Sequence, residues 1–302
     1  MNFDRITDSV DTNLLNETHI VVVGAGGAYN FILNLARTGI GKLTVLDFDT
    51  VDDTNLVRQG YTQNDIGKHK VNALEDTIKA INPDVDYTGI TEDFRFMSEE
   101  QLDEIFKPAD MFLFLTDSFF AQSFGNTLAL KYNKPSLWAG WYVRSRTAEV
   151  FFQIPNYTPA CFRCAVSSRY KSYSLGLTDG NLPIRSVCNT IFHSELLDSY
   201  IGLLTLGILH REHPDTDLES VRFFKGLLNE DGTLDYNFFH LKVHPEGGNP
   251  LFDRLYDPIG KQAQNFIACW QKVEPELAPK YEEDCPDCGG MLLQQVTNKQ
   301  EE

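Results

Sequence analysis

The chain has 302 residues, with 26 Lys+Arg against 43 Asp+Glu and a formal net charge of −17. Hydrophobic residues make up 42 % and aromatics 12 %, enough to bury a full core as one large domain or two intimate ones, which excludes disorder as the main state. The negative charge argues against nucleic acid or an anionic membrane as the main partner, because both are bound through basic surface. No apolar run approaches the roughly 20 residues of a bilayer span, and the opening MNFDRITDSVDTN lacks the charged-then-apolar layout of a secretory signal. The expectation is a soluble, cytoplasmic protein.

His19–Val23 is a β-branched run that breaks at Gly24-Ala-Gly-Gly27, and a helical pattern follows in which Phe31, Ile32 and Leu35 face a sheet before Gly39 and Gly41 end it. Leu43–Leu46 reads as the next strand, closing on Asp47. Gly67–Ile81 reads as a helix stopped by Pro83, Val85–Ile90 as a strand and Glu99–Phe106 as a short helix. Met111–Leu115 is apolar on both faces, as a strand between helix layers is. Ser118–Tyr132 continues as a helix and Ser136–Ala139 as a strand. This alternation predicts an α/β, Rossmann-like, mostly parallel sheet with right-handed crossovers.

The second half is less regular. Thr147–Ile154 looks like a member of a strand pair, Arg169–Arg185 like a polar surface loop, and Phe192–His210 like a long apolar helix. Asp217–Phe239 and Leu241–Asp253 give mixed signals, and the polar tail Thr297–Glu302 reads as frayed.

In parallel sheets of this kind ligands sit beyond the carboxyl ends of the strands, where Gly24–Gly27, Asp47 and Asp117 all fall. A strand running into a glycine loop at a helix start lets the backbone approach an anion and offers it free N–H groups. Asp47, 23 residues after Gly24, suits a carboxylate that binds ribose hydroxyls. These features fit an NAD enzyme and an ATP enzyme equally. The stretch that follows separates them: Asn55, Arg58 and Lys70 cluster just past the ribose position, as a triphosphate needs when its α-phosphate is attacked by an anionic carboxylate. Asp117 in Thr116-Asp-Ser118 is placed to hold Mg²⁺.

Cys161-Phe-Arg-Cys164 and Cys285-Pro-Asp-Cys288 have the two-knuckle layout of a structural zinc site with four thiolates and no open position. Cys188 and Cys269 stand alone, and Cys269, inside Ile267-Ala-Cys-Trp270, reads as a core residue.

The ordered set GxGG, D-x-D-x-V-x(3)-NLxRQ, DIGxxK, TDS and paired CxxC resembles the ubiquitin-activating-enzyme superfamily of the ThiF/MoeB/HesA type, over residues 18–165 and again at Cys285–Gly290. The resemblance implies formation of an acyl-adenylate from ATP on the C-terminal glycine of a ubiquitin-like protein. By motif, Gly24, Gly26 and Gly27 would line the phosphates, and Asp47 would bind ribose. Asn55, Arg58 and Lys70 would contact phosphate, with Gln59 in support and Asp117 on Mg²⁺. The G-x-x-K pattern selects Lys70 over Lys68. The resemblance also implies zinc at the four cysteines, and a thioester on Cys188, which lies in the loop after the first CxxC where some members carry that residue. Its catalytic set is then Arg58, Lys70, Asp117 and Cys188.

Two departures stand out. Tyr29 replaces the usual small residue after the glycine loop, and Arg5 is the only arginine before that loop, where many members supply one across a dimer interface. The expected organisation is an adenylation region over 1–165, a crossover loop over 166–190 and a C-terminal part over 191–302. Expected partners are the ubiquitin-like protein, a conjugating enzyme or sulfur donor, and a second subunit in a homodimer or heterodimer. Three rivals remain at this point: a sulfur-carrier adenylyltransferase of thiamine or molybdopterin type, a non-catalytic scaffold subunit, and an NAD-dependent oxidoreductase.

Overall fold

A computed structural model describes residues 1–142, 147–176, 189–234, 236–243, 267–275 and 285–301. In chain order the elements are α1 (Thr12–Glu17), β1 (His19–Val23), α2 (Tyr29–Thr38), β2 (Lys42–Leu46), α3 (Lys70–Ile81), β3 (Asp86–Ile90), α4 (Glu99–Phe106), β4 (Met111–Phe114) and α5 (Phe119–Tyr132). There follow β5 (Ser136–Tyr142), β6 (Thr147–Gln153), α6 (Phe162–Ala165), α7 (Ser167–Ser174), α8 (Ile191–Leu209), α9 (Glu219–Lys225), β7 (Phe238–Lys242), β8 (Ile267–Gln271) and α10 (Met291–Glu301). They form two units interleaved along the chain, Met1–Thr116 with Thr190–Gly226, and Asp117–Asn189 with Leu227–Glu302. No helix among the described residues is long and apolar enough to cross a membrane.

In the first unit the strands lie in the order β3-β2-β1-β4, all parallel, with Val22 opposite Val45 on one side and Leu113 on the other. Every residue of β1 and β4 is buried, which is why both read as unbroken apolar runs rather than alternating ones. Helix α2 buries Phe31, Ile32 and Leu35 and stops at Gly39, whose φ of 94° closes the helix in the left-handed region. It packs against α3 and α8. The expected α/β, Rossmann-like arrangement is present here, and the helix expected over Phe192–His210 is α8. Its buried stripe runs through Leu197, Ile201, Leu204 and Ile208, while Phe192, Leu196 and Leu203 face outward. The C-terminal end of α8 is tied to the start of the chain, since His210 Nε2 accepts the Asp11 N–H at 2.9 Å and His213 Nε2 lies 2.9 Å from Asp11 Oδ2.

In the second unit the order is β5-β6-β7-β8, and each of these pairings is antiparallel. Parallel pairing thus holds through the alternating first part of the chain, while the less regular part pairs antiparallel: only four residues separate Tyr142 from Thr147, and a parallel pair needs a crossover of a dozen or more. Two expectations are corrected. The start of the expected loop Arg169–Arg185 belongs to helix α7, and the tail expected to fray is helical through Glu301 because Leu292 and Val296, four residues apart, bury one face. The segments with mixed signals contain α9 and β7.

A charged cluster is buried in this unit. Arg169 pairs with Glu149, the His240 Nδ1 lies 3.6 Å from Glu149 Oε1, and the guanidinium stands 5.4 Å above the Tyr142 ring, whose hydroxyl accepts from Gln122 Nε2 at 2.7 Å. Burial, helped by the Arg169 charge, pushes the His240 imidazole down to about 3. The folded protein thus holds His240 neutral where the unfolded chain protonates it, so the stability it contributes is full above about pH 6.5 and is lost as pH falls below that. Urea unfolding compared at pH 7.5 and 5.5 should show an acid loss on the order of 1 kcal/mol that His240→Gln diminishes.

Candidate nucleotide site and four-cysteine centre

Gly24 turns the chain from β1 toward α2 with φ of 102°, and a Cβ there would stand 2.4 Å from the Leu115 carbonyl oxygen. Only glycine fits that position. The loop is held from two sides. Asp47, at the end of β2, accepts the Ala25 N–H at 2.7 Å and the Asp49 N–H at 2.9 Å. Tyr61 donates its hydroxyl to the Ala25 carbonyl at 2.7 Å and lies 3.4 Å from that of Lys70. Burial pushes the Asp47 carboxyl above its ordinary value, against the opposing pull of the Lys70 ammonium.

Beyond β2 the chain coils back on itself. Asn55 is buried and exchanges hydrogen bonds with Asp52: its N–H donates to Asp52 Oδ1 at 3.1 Å, and its Oδ1 accepts the Asp52 N–H at 3.2 Å. That coil sends the Gln59 side chain toward the glycine loop, with Nε2 3.0 Å from where a Cβ on Gly26 would be. Gln59 Oε1 is buried and has no hydrogen-bond partner. An orphaned buried amide oxygen is costly, and as an acceptor it calls for a ligand donor such as a ribose hydroxyl or a base amino group, while the Gln59 Nε2 beside Gly26 and the N–H groups at the helix N-terminus are the donors a phosphate needs. Together these residues fit a nucleotide.

Lys70 opens α3, and its side chain is only 7 % exposed; its ammonium bonds Asp49 Oδ2 at 2.7 Å, a carboxylate that is 54 % exposed. Lys68 points elsewhere, to Asp65 at 3.3 Å and Asp76 at 3.2 Å. The first unit therefore gathers Gly24, Gly26, Gly27, Asp47, Asn55, Gln59 and Lys70 near the carboxyl ends of β1 and β2. The half-buried Arg58 lies on the same coil, its carbonyl accepting from Ser194 Oγ at 3.4 Å. Asp117 is not part of this unit: it follows Thr116, three residues past β4, and opens the second. Cys188 lies outside the described residues. Arg5 is exposed.

Tyr29 is buried and fully engaged within this unit. Its ring packs 4.4 Å from that of Tyr61, its hydroxyl lies 3.1 Å from Thr77 Oγ1, and it fills the space a side chain on Gly60 would need. Glycine at position 60 is the complement of the large residue at position 29. Tyr61 and Ser194 beside the loop, and Asp198 on the first turn of α2, are contacts that the motifs do not indicate; Tyr61 follows the NLVRQ segment by two residues, and the other two carry no local signal.

The second unit brings the two CxxC pairs together. Sγ separations are 3.8 Å for Cys161–Cys164, Cys161–Cys285 and Cys164–Cys288, and all four sulfurs lie within 4.8 Å of one another. A tetrahedral zinc with bonds of about 2.3 Å spaces its sulfurs about 3.8 Å apart, so the cluster fits that ion. Hydrogen bonding among the four sulfurs divides their protons unevenly, pulling the Cys285 thiol far below its ordinary value and that of Cys288 to about 7 while pushing Cys161 far above it; a bound cation would be what makes thiolates of them all. Around the cluster, Asn126 Nδ2 lies 3.7 Å from Cys161 Sγ and donates to Asp287 Oδ2 at 2.8 Å, while Arg163 Nη1 bonds Asp287 Oδ1 at 3.0 Å.

The signature of the ThiF family matches residues 1–202, two thirds of the chain, and the protein belongs to that family. MoeZ of Mycobacterium tuberculosis, a probable adenylyltransferase/sulfurtransferase, is 33 % identical over 141 residues, 46 % of this chain and 35 % of that protein. Ubiquitin-like modifier-activating enzyme 5 of Dictyostelium discoideum is 31 % identical over 155 residues, 48 % of this chain and 40 % of that one. The matches thus span well under half the length of either relative. In fold, the crystal structure of Escherichia coli MccB with AMPCPP and MccA is similar at a TM-score of 0.60 and 16 % identity, over 89 % of this chain and 67 % of MccB.

Elemental analysis of the purified protein should find one zinc per chain. Cys288→Ser should abolish its retention under a chelator and lower the melting temperature of the second unit, because metal affinity at such a site is folding free energy.

Proposed function

We propose that this protein uses ATP to activate the C-terminal carboxylate of a small ubiquitin-like carrier as an acyl-adenylate. The observation that carries this is the meeting, at the ends of two parallel strands, of a glycine loop at a helix N-terminus, a buried amide oxygen that awaits a donor such as a nucleoside hydroxyl or amino group, and a nearly buried lysine. A structural turn alone needs none of the last two.

In this reading Gly24, Gly26 and Gly27 present backbone to the phosphates, and Asp47 accepts from a ribose hydroxyl while keeping its hold on Ala25. Gln59 turns its orphaned amide to the bound nucleotide, and Asn55 and Arg58 meet phosphate oxygens. Lys70 exchanges Asp49, which is half in water and cheaply rehydrated, for a more highly charged triphosphate. By its Thr-Asp-Ser motif Asp117 is the residue that would hold Mg²⁺, and the ion would supply charge to offset that of the phosphates. One carboxylate oxygen of the carrier attacks the α-phosphorus, the bond from that phosphorus to the bridging oxygen breaks, and pyrophosphate leaves with the electron pair. The cationic side chains lower the repulsion between the two anions as they meet and hold the charge that builds in the transition state. No group here has to be a general base, because the nucleophile is already ionised at neutral pH.

Two second steps suit this chemistry. Attack of the Cys188 thiolate on the acyl carbon, with the bond to the adenylate oxygen breaking and AMP leaving, would give a thioester for conjugation, as the likeness to the ubiquitin-like modifier-activating enzyme favours. Delivery of sulfur to the adenylate is favoured by the likeness to MoeZ.

ATP–pyrophosphate exchange dependent on a glycine-ended carrier tests the proposal. Lys70→Ala and Asp117→Ala should each lower exchange at least about a hundredfold with the fold intact by circular dichroism, and absence of exchange with every carrier tried would favour the scaffold role. Cys188→Ala should keep exchange but lose any thiol-labile adduct with the carrier; an adduct that survives in this variant removes Cys188 as acceptor.

A further inference from the structure

Helix α8 carries an acid where its packing calls for an apolar residue. Asp198 lies on the buried stripe between Leu197 and Ile201 and is 7 % exposed. Facing it is the first turn of α2, whose N-cap residue Ala28 has no side chain able to accept a hydrogen bond. Asp198 Oδ2 accepts the Phe31 N–H at 3.3 Å. One turn earlier on the same face, Ser194 Oγ sits 3.4 Å from where a Cβ on Gly27 would be and donates to the Arg58 carbonyl at 3.4 Å. Beside it, Glu195 Oε1 accepts from Asn30 Nδ2 at 3.3 Å. Three residues on successive turns of α8, Ser194, Glu195 and Asp198, therefore hold the glycine loop, the Arg58 coil and the opening turn of α2, all within one unit.

The geometry points to Asp198 as a positioning residue for the nucleotide: a helix cap delivered from α8 that fixes the first turn of α2, so that the glycine loop and the remaining free N–H groups keep their aim at the phosphates. This rests on the ATP reading above. The first N–H groups of a helix have no intrahelical partner, and a first turn without a capping acceptor is weakly held. Here the turn opens on Ala28, so the acceptor comes from another helix. An anion at that terminus would compete with the triphosphate for the same positive end of the helix dipole. Burial, reinforced by the nearby Glu195 charge, pushes the Asp198 carboxyl well above the usual carboxylate range. The neutral acid is thereby favoured, which still accepts through an oxygen but does not repel the ligand. An amide in the same place has the same properties; an aliphatic side chain of equal size does not.

The test compares the wild type with Asp198→Asn and Asp198→Leu, using MgATP affinity by calorimetry together with hydrogen exchange of the α2 first-turn amides in the ligand-free protein. D198L should weaken MgATP binding about fivefold and speed exchange at Phe31 by a similar factor, with carrier binding unchanged. D198N should stay within about twofold of wild type in both. Should D198L not fold, Asp198→Ala removes the same acceptor without adding bulk. If the wild type binds MgATP but the Asn and Leu variants are indistinguishable, or if neither disturbs the Phe31 amide, the positioning role is refuted and the ATP reading stands. If the wild type binds no MgATP, the ATP reading falls and takes this role with it.

Discussion

The first unit depends on a single close approach. Gly24 brings backbone against the Leu115 carbonyl at a distance no side chain would allow, and Asp47 holds the next residue in place through its N–H. Without that contact β1 would not pass into α2 over the end of the sheet, and no helix N-terminus would stand there. The same carboxylate secures the start of the Asp49 segment, from which the coil through Asn55 to Gln59 departs. The fold and the candidate site are therefore one construction: the residues that let the chain turn also leave the turn open to an anion. Tyr61, bonded to the carbonyl of Ala25 and packed at a tilt against the Tyr29 ring, closes the arrangement from behind.

The second unit is organised differently. Its strands are antiparallel, and the sulfur cluster anchors one side, with Asn126, Asp287 and Arg163 saturating the surrounding polar groups. Phe162, lying between the first two cysteines, stacks on Trp138 at 5.0 Å and joins the cluster to β5. A cross-link through this cluster would supply rigidity where the buried Glu149–Arg169 pair, with its desolvation cost, contributes less than its charges suggest.

Legibility in the sequence followed the source of each element's stability. Strands β1 and β4 were readable because both faces are covered and the apolar run is unbroken; α3 and α8 were readable from their apolar period. Helix α7 escaped because what it buries is Arg169 against Glu149, with Tyr170 and Tyr173 packed on Phe119, a pattern that looks like polar loop. Helix α10 escaped because two apolar residues suffice to dock it, and β7 because its His240 is buried next to charge. At the site, spacing could nominate Lys70, Asn55 and Gln59 but not the burial of the lysine or the unpaired amide oxygen. Asp198 was invisible, since a lone acid in an apolar helix has no partner until the fold brings Phe31 to it.

The interleaving of the two units has a consequence for how the chain is made. The first unit is not complete at Thr116, because α8 and α9 arrive only with residues 190–226, after most of the first half of the second unit has left the ribosome. The sulfur cluster joins cysteines 124 positions apart, so two of its ligands must wait for nearly half the polypeptide to be synthesised. Nascent protein therefore passes through a long interval in which a parallel sheet lacks one covering helix and two thiols lack their counterparts. Assembly of the four-sulfur cluster is therefore a late checkpoint, one that only a ribosome past Cys288 can satisfy.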